Sequence, residues 1–264
     1  MSETPASISF DRAAEIYDAS RGLDPGVIGA AIDLVESELR GRGRVLEVGV
    51  GTGMIALPLA ERGIDVVGLD LSAAMMAKLV EKAGGLAPFP LLRGDATRLP
   101  FPGATFGAAY ARHVLHLIRD WRVVVGELCR IVRSGGLVLI APGAYTGEAG
   151  YELSRLIRDE AGAEAAEVGL DLRTRPGDLE QAFASYGAVG RDLPEIRYPS
   201  AETIGSYLAE LEARNYSWTW RVPDGRLGRA IEAGRSWALE HYGSLDARIE
   251  EEGTILWRAY DVTR

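Results

Sequence analysis

Val45-Leu46-Glu47-Val48-Gly49-Val50-Gly51-Thr52-Gly53 is a short apolar run that breaks directly into three alternating glycines. The run is short and bounded by glycine, so it reads as a buried strand, and glycines just past it let the backbone turn tightly and approach a ligand closely. A helix over 55–60 follows, ending at Arg62-Gly63. Outward from this unit the alternation repeats. A second buried strand is expected at 65–69, a helix over 72–82 with Ser72 as its N-cap, and a third strand at 90–93. A fourth strand follows at 106–111, then a helix over most of 114–132 and a fifth strand at 136–141. Strand and helix alternating at this spacing imply parallel strands with right-handed crossovers, so the predicted class is α/β with both sheet faces covered.

Past Pro142 the rhythm changes. Residues 148–162, 178–186, 201–214 and 226–241 carry helical patterns, 195–198 suit a strand, and 254–262 alternate as a closing strand. Helices are therefore interposed before the last strand. In an open α/β sheet the ligand lies outside the carboxyl ends of the strands, where the strand order reverses. The late helices, with one around 10–19, would roof that crevice. No repeat, low-complexity run or linker divides the chain, so residues 1–264 read as one domain in which 1–35 and 146–250 supply cap segments.

The 264 residues suit one large domain, and composition narrows its class. Thirty-eight acidic residues against 29 basic ones leave a net charge of −9, a poor field for binding a duplex, so no nucleic-acid partner is expected. No run of about 18 apolar residues exists, and the N-terminus lacks a basic region followed by an apolar stretch. That predicts no membrane span, no secretory signal and a cytoplasmic location. One cysteine, Cys129, and three scattered histidines supply neither an internal disulfide nor a metal cage, so no metal is expected. Lys78 and Lys82 are the only lysines, and Asn215 and Gln181 the only residues of their kinds. Scarce Asn, Gln and Cys suit a heat-adapted protein, while a GC-rich genome gives the arginine excess equally well.

The chemistry-bearing residues fall along the predicted carboxyl rim. The dinucleotide fingerprint G-x-G-x-x-G needs glycine where Met54 stands, and Gly53 comes one residue early. Glu47 inside a buried strand costs several kcal/mol unless it is paired or hydrogen-bonded, which favours a functional role. Asp70 ends the second strand 21 residues after Gly49, where a carboxylate can bind two ribose hydroxyls; as a mere helix cap it would duplicate Ser72. Asp95, in Arg93-Gly94-Asp95-Ala96, ends the third strand and can accept from an exocyclic adenine amine, or simply sit in a turn.

These motifs, with Arg130-Ile131-Val132-Arg133-Ser134-Gly135-Gly136, resemble in order those of the class I S-adenosylmethionine-dependent methyltransferases. The resemblance covers about residues 9 to 141 and is nearest the small-molecule branch of ubiquinone and menaquinone biosynthesis. It implies a Rossmann-like seven-stranded sheet, mostly parallel with the last strand antiparallel, helices on both faces and a helical cap. S-adenosylmethionine is the implied cofactor. Gly49, Gly51 and Thr52 would border its methionyl part, and Glu47 would hold its ammonium through water. Asp70 would bind the ribose diol, Leu71 pack on the adenine, and Asp95 with the Ala96 amide read the adenine edge. Arg112 matches a position whose backbone contacts the methionyl moiety, with His113 beside it on the same rim. Phe10 to Asp18 resembles the branch's entry segment, which would put Tyr17 near the sulfonium and let Arg21 clamp the carboxylate. Two departures stand out: Phe106-Gly107 where the family often has Phe-Asp, and Ser134 where it usually has Pro.

The expected activity is methyl transfer to a small-molecule acceptor by in-line displacement, which needs alignment, exclusion of water and, for some acceptors, a base. His113 and His116 sit three apart after the fourth strand. His116 is the first candidate base, Tyr17 the second and Tyr145 the third; for His116 a structural role is the alternative. Tyr110-Ala111-Arg112-His113 holds neither an Asn/Asp-Pro-Pro-aromatic motif nor a Pro-Cys pair, so methylation of DNA bases is not expected. Tyr216, Trp218, Trp220 and Trp237 either line an apolar acceptor pocket or pack the cap. Two other readings remain open: a non-catalytic S-adenosylmethionine-binding protein, and a nicotinamide-dependent oxidoreductase, against which Met54 and Asp95 speak.

Overall fold

The computed structural model describes residues 7–20, 24–142, 144–145, 148–162, 168–172 and 177–263. Its strands are β1 (Val45–Val48), β2 (Val66–Asp70), β3 (Leu91–Arg93), β4 (Phe106–Arg112), β5 (Val132–Ala141), β6 (Ala144–Tyr145), β7 (Ala188–Asp192), β8 (Ile196–Thr203), β9 (Arg248–Ile255) and β10 (Arg258–Val262). Its helices are α1 (Tyr17–Ser20), α2 (Pro25–Leu39), α3 (Ala56–Glu61), α4 (Ala73–Lys82), α5 (Trp121–Ile131), α6 (Glu148–Ala161), α7 (Asp178–Ser185), α8 (Ile204–Glu212) and α9 (Asp224–Tyr242).

Seven strands form the main sheet in the order β3-β2-β1-β4-β5-β10-β7. β1 to β5 pair in parallel, and β10 runs antiparallel to both of its neighbours, β5 and β7. The order reverses between β1 and β4, so the carboxyl ends of those two strands flank the crevice where an α/β sheet binds its ligand. The expected mostly parallel seven-stranded sheet with an antiparallel last strand is therefore present.

Alternation along the buried strands sorts the core into two layers. Leu46, Val48, Val67 and Leu69 meet Trp121, Val125 and Leu128 of α5 on one face. Val45, Val66, Tyr110 and Leu139 meet Ile32, Val35 and Leu39 of α2 on the other. α2 thus belongs to the sheet, and of the described residues of the segment 1–35 it is those of 7–20 that reach the ligand crevice. Local chemistry fixes the helix ends: Asp24 Oδ1 accepts the Gly26 amide at 2.8 Å ahead of Pro25, and Ser72 Oγ accepts the Met75 amide at 3.1 Å. A third core is built from α6, α8, α9 and Trp218.

Several expectations needed correction. The long helix over 114–132 is interrupted: a 3₁₀ turn covers Leu115–Leu117, Ile118 is extended, and α5 starts only at Trp121. β5 begins at Val132, with the β4 register shifting between Phe106 and Ala108. The closing strand 254–262 is two strands, since β9 leaves the main sheet and joins β6 and β8 in a separate antiparallel sheet. Residues 201–203, expected in a helix, continue β8 against Arg248–Glu250 of β9. β7, exposed beyond Ala188, was not expected at all.

The departure at Gly107 has a steric cause. A Cβ there would sit 1.6 Å from the Arg42 carbonyl oxygen, so the 40–44 turn lies against bare backbone.

Candidate functional site

The loop after β1 is built by glycines held at positive φ. Gly49 has φ +75°, and a Cβ on it would fall 2.3 Å from Val114 Cγ2. The turn after β4 is therefore packed directly onto bare backbone at the crevice. His113 in that turn holds φ +55°, a conformation that costs a non-glycine residue of order 1–2 kcal/mol. Its amide donates to the Ala141 carbonyl at 2.9 Å, tying the turn to the end of β5.

A cleft opens at these strand ends. Gly49, Gly51, Asp70, Leu71, Asp95, Ala96, Arg112 and His113 line it, as does Tyr17. Asp70 is fixed from behind: its Oδ2 accepts the Gly51 amide and its Oδ1 the Ser72 amide, both at 2.8 Å. Burial raises its pKa, and those amides oppose the rise. Asp95 Oδ1 accepts the Thr97 amide and hydroxyl at 2.9 and 2.8 Å. Two carboxylates thus stand at the ends of adjacent strands, with the apolar Leu69, Leu71, Ala96 and Ile118 around them. That is a slot for a flat heterocycle joined to a polyol.

Residues 7–20 lie across the opening as a strap. The Ile8 amide donates to the Leu117 carbonyl at 3.1 Å, and Phe10 and Tyr17 line the cleft with their rings edge to face at 5.8 Å. Asp11 Oδ1 accepts the Ser72 hydroxyl at 2.6 Å and the Ala74 amide at 3.2 Å. These donors hold the Asp11 carboxyl below the usual range, the Ser72 hydroxyl most of all. Asp18 accepts the Thr52 hydroxyl at 2.6 Å and Lys82 Nζ at 2.8 Å. Phe10 meets Trp220 at 4.8 Å, and Arg12 lies over the same indole at 5.0 Å, so the strap touches the Ser217–Arg221 turn.

Residues 46–140 match the model of the methyltransferase domain family. Over 101 residues the chain is 44% identical to phosphatidylethanolamine N-methyltransferase of Cereibacter sphaeroides, a match covering 37% of this chain and 49% of that one. The chain thus spans about half the length of that relative. Malonyl-[acyl-carrier protein] O-methyltransferase of Halorhodospira halophila is 26% identical over 97% of this chain and 94% of its own. Among solved structures, phosphoethanolamine N-methyltransferase 2 of Haemonchus contortus in complex with S-adenosyl-L-methionine superposes with a TM-score of 0.54 at 18% identity, over 96% of this chain and 57% of that one. Residues 46–140 thus carry a methyltransferase domain, similar to that of the class I S-adenosylmethionine-dependent methyltransferases.

S-adenosylmethionine is accordingly the cofactor, and the cleft fits it. Two bare glycines, two rim carboxylates and apolar walls suit a nucleoside, and a buried carboxylate behind the glycines suits a cation. That carboxylate, Glu47, is 3% exposed and does not reach the cleft wall formed by Val48 and Gly49. The Tyr110 hydroxyl donates to its Oε2 at 2.9 Å, and burial pushes its pKa up to about 8. Thr52 likewise lies behind the wall, its hydroxyl committed to Asp18. His116 is not among the lining residues; its ring meets that of His113 edge to face at 6.4 Å, and its carbonyl accepts the Gly169 amide. Arg21 lies outside the described residues, as does the side chain of Tyr145. Sequence reasoning missed Ser7, Ile8, Met75, Leu117 and Ile118 on the cleft wall, which carry only generic burial signals.

Proposed function

We propose that this protein transfers the methyl group of S-adenosylmethionine to a small-molecule acceptor. The observation that carries the reading is the convergence of Gly49, Gly51, Asp70 and Asp95 on one cleft beneath the strap. The cofactor supplies an electrophilic methyl on a sulfonium; the chain's own residues bind, orient and exclude water. Asp70 holds the ribose diol and Leu71 packs on the adenine. Asp95 and the Ala96 amide read the adenine edge, while Gly49, Gly51 and the Arg112 backbone border the methionyl end, with Thr52 and Glu47 behind that wall. The strap carries Tyr17 over the cleft and keeps bulk water from the methyl group. Tyr17 or His116 takes a proton from an acceptor that must lose one; Tyr17 lines the cleft, and His116 acts from behind His113. Residues 1–264 work as one domain, roofed by the strap and by the elements of 146–250.

Calorimetric titration with S-adenosylmethionine, S-adenosylhomocysteine and NADH in parallel tests the reading. Micromolar binding of the two adenosyl ligands alone supports it, and turnover with any acceptor then separates the enzyme from a non-catalytic binder. Binding of NADH alone would overturn it.

A further inference from the structure

Trp220 belongs to the Ser217–Arg221 turn, well beyond the residues 46–140 that carry the domain match, yet its ring meets the wall of the cleft. The turn is held largely without that ring. Arg214, at φ +57°, donates from Nη2 to the Val222 carbonyl at 3.0 Å and from Nη1 to the Thr219 carbonyl. The Thr219 hydroxyl donates to the Tyr216 carbonyl at 2.6 Å, and the buried Trp218 anchors the turn in the third core. Trp220 adds a bond from Nε1 to the Arg214 carbonyl at 2.6 Å, which fixes the way its indole faces. That indole is half-buried and turned to the strap. Phe10 stands against it at 4.8 Å with the ring planes at 61°, and the Arg12 guanidinium lies over it at 5.0 Å. Phe10 in turn lines the cleft and meets Tyr17, which also lines it, at 5.8 Å. Three rings therefore run in series from a turn of the C-terminal half to the cleft. Edge-to-face contact is directional, so an indole held in place also orients the ring it meets.

We propose that Trp220 is a positioning residue for the cofactor cleft: its indole seats Phe10 in the cleft wall and so holds the strap closed over bound S-adenosylmethionine. The inference rests on reading the cleft as the S-adenosylmethionine site. The polar ties at Asp11 and Asp18 fix the course of the strap backbone, whereas the rotamer of Phe10 is set by what its ring packs against. Trp220 is not among the cleft-lining residues, so it acts through Phe10 and not on the ligand.

Stopped-flow dissociation of S-adenosylmethionine from Trp220→Ala and Trp220→Phe tests it. Both variants lose the bond to the Arg214 carbonyl, and only the phenylalanine keeps a ring for Phe10 to meet. Trp220→Ala should release the cofactor about two- to tenfold faster, the range expected for one lost aromatic pair, and Trp220→Phe should stay close to the unaltered protein. The alanine effect should vanish in a Phe10→Ala background. Variants that melt lower but release the cofactor at the unaltered rate would leave Trp220 a purely structural role and overturn the proposal. So would an effect of Trp220→Ala that persists in full without the Phe10 ring. Should the alanine variant not fold, amide hydrogen exchange of the unaltered protein decides the question. Saturating S-adenosylhomocysteine should slow exchange at residues 217–222 together with the strap, and exchange at that turn indifferent to the ligand overturns the proposal. No binding of either adenosyl ligand would instead sink the cofactor reading, and the proposal with it.

Discussion

Gly49 and Gly51 differ in what an added methyl group would meet. At Gly49 it would strike Val114 at 2.3 Å, inside the packed turn after β4; at Gly51 it would touch the flexible end of Met75 at 3.3 Å. Both have positive φ, which costs alanine of order 1–2 kcal/mol, and the clash at Gly49 adds about 1–3 kcal/mol. Urea unfolding should therefore show Gly49→Ala losing about 2–5 kcal/mol and Gly51→Ala about 1–2 kcal/mol; equal losses would mean that the turn yields to the methyl. Asp70→Ala should weaken S-adenosylmethionine binding by about 10- to 100-fold, as expected for hydrogen bonds to a charged group worth roughly 1.5–3 kcal/mol. Calorimetry at a temperature where the variant stays folded would show this, and unchanged affinity would remove Asp70 from the ribose site. At this scale the sequence was informative, because glycines at a strand end and carboxylates at two others are chemically unusual. The apolar wall was not legible: Leu117 and Ile118 look like any core residues until the chain folds them around the cleft.

The strap is held by short-range polar contacts at both of its aspartates, one of them on the first turn of α4. Asp11→Ala removes the acceptor for the Ser72 hydroxyl and the Ala74 amide while leaving Tyr17 and Phe10 in place. Stopped-flow dissociation of S-adenosylmethionine should then be several-fold faster, and limited proteolysis within 7–20 should quicken; an unchanged off-rate would show that the strap does not gate the cleft. Among elements, β1, β2, β4 and β5 were legible because each carries a buried apolar run, and the half-buried β3 because Leu91-Leu92 follows Pro90 at the spacing of the alternation. β8 and β9 were hidden by composition: Glu250, Glu251 and Glu252 in β9 and a helix-like pattern at 201–203 in β8 obscure strands that pair with each other rather than with the core. β7 was missed because Val189 to Asp192 are exposed and only Ala188 is buried. The break at Ile118 follows from tertiary contact, since residues 169 and 170 hydrogen-bond to the carbonyls of His116 and Leu115.

For the molecule as a whole, Glu47 ties stability to pH. Its pKa rises from the usual 4.5 to about 8 in the native state, so between those values the folded protein holds a proton that the unfolded chain has lost. This contribution to stability is complete below pH 4.5 and is lost as pH climbs toward 8. Asp11 and Glu127, whose pKa values are lowered, act in the opposite sense, and only in the acid range below the usual carboxylate values. Ligand-free protein should therefore melt at a lower temperature at pH 8 than at pH 6, and Glu47→Gln should flatten that difference; an equally steep dependence in the variant would assign it to other groups. A melting temperature below about 60 °C would also end the heat-adapted reading of the composition.

The placement of β10 between β5 and β7 bears on how the protein is made. In the sheet β7 pairs with β10 alone, yet about 65 residues of chain separate the two. Synthesis proceeds at about 5–20 residues per second, so β7 emerges from the ribosome several seconds before the strand that will hold it. During that interval its amides face solvent, and the short, charged Arg191-Asp192 end is what discourages a wrong partner from pairing there. Closing the sheet is accordingly a late event in the life of each new chain, and release of residues 258–262 sets its earliest moment.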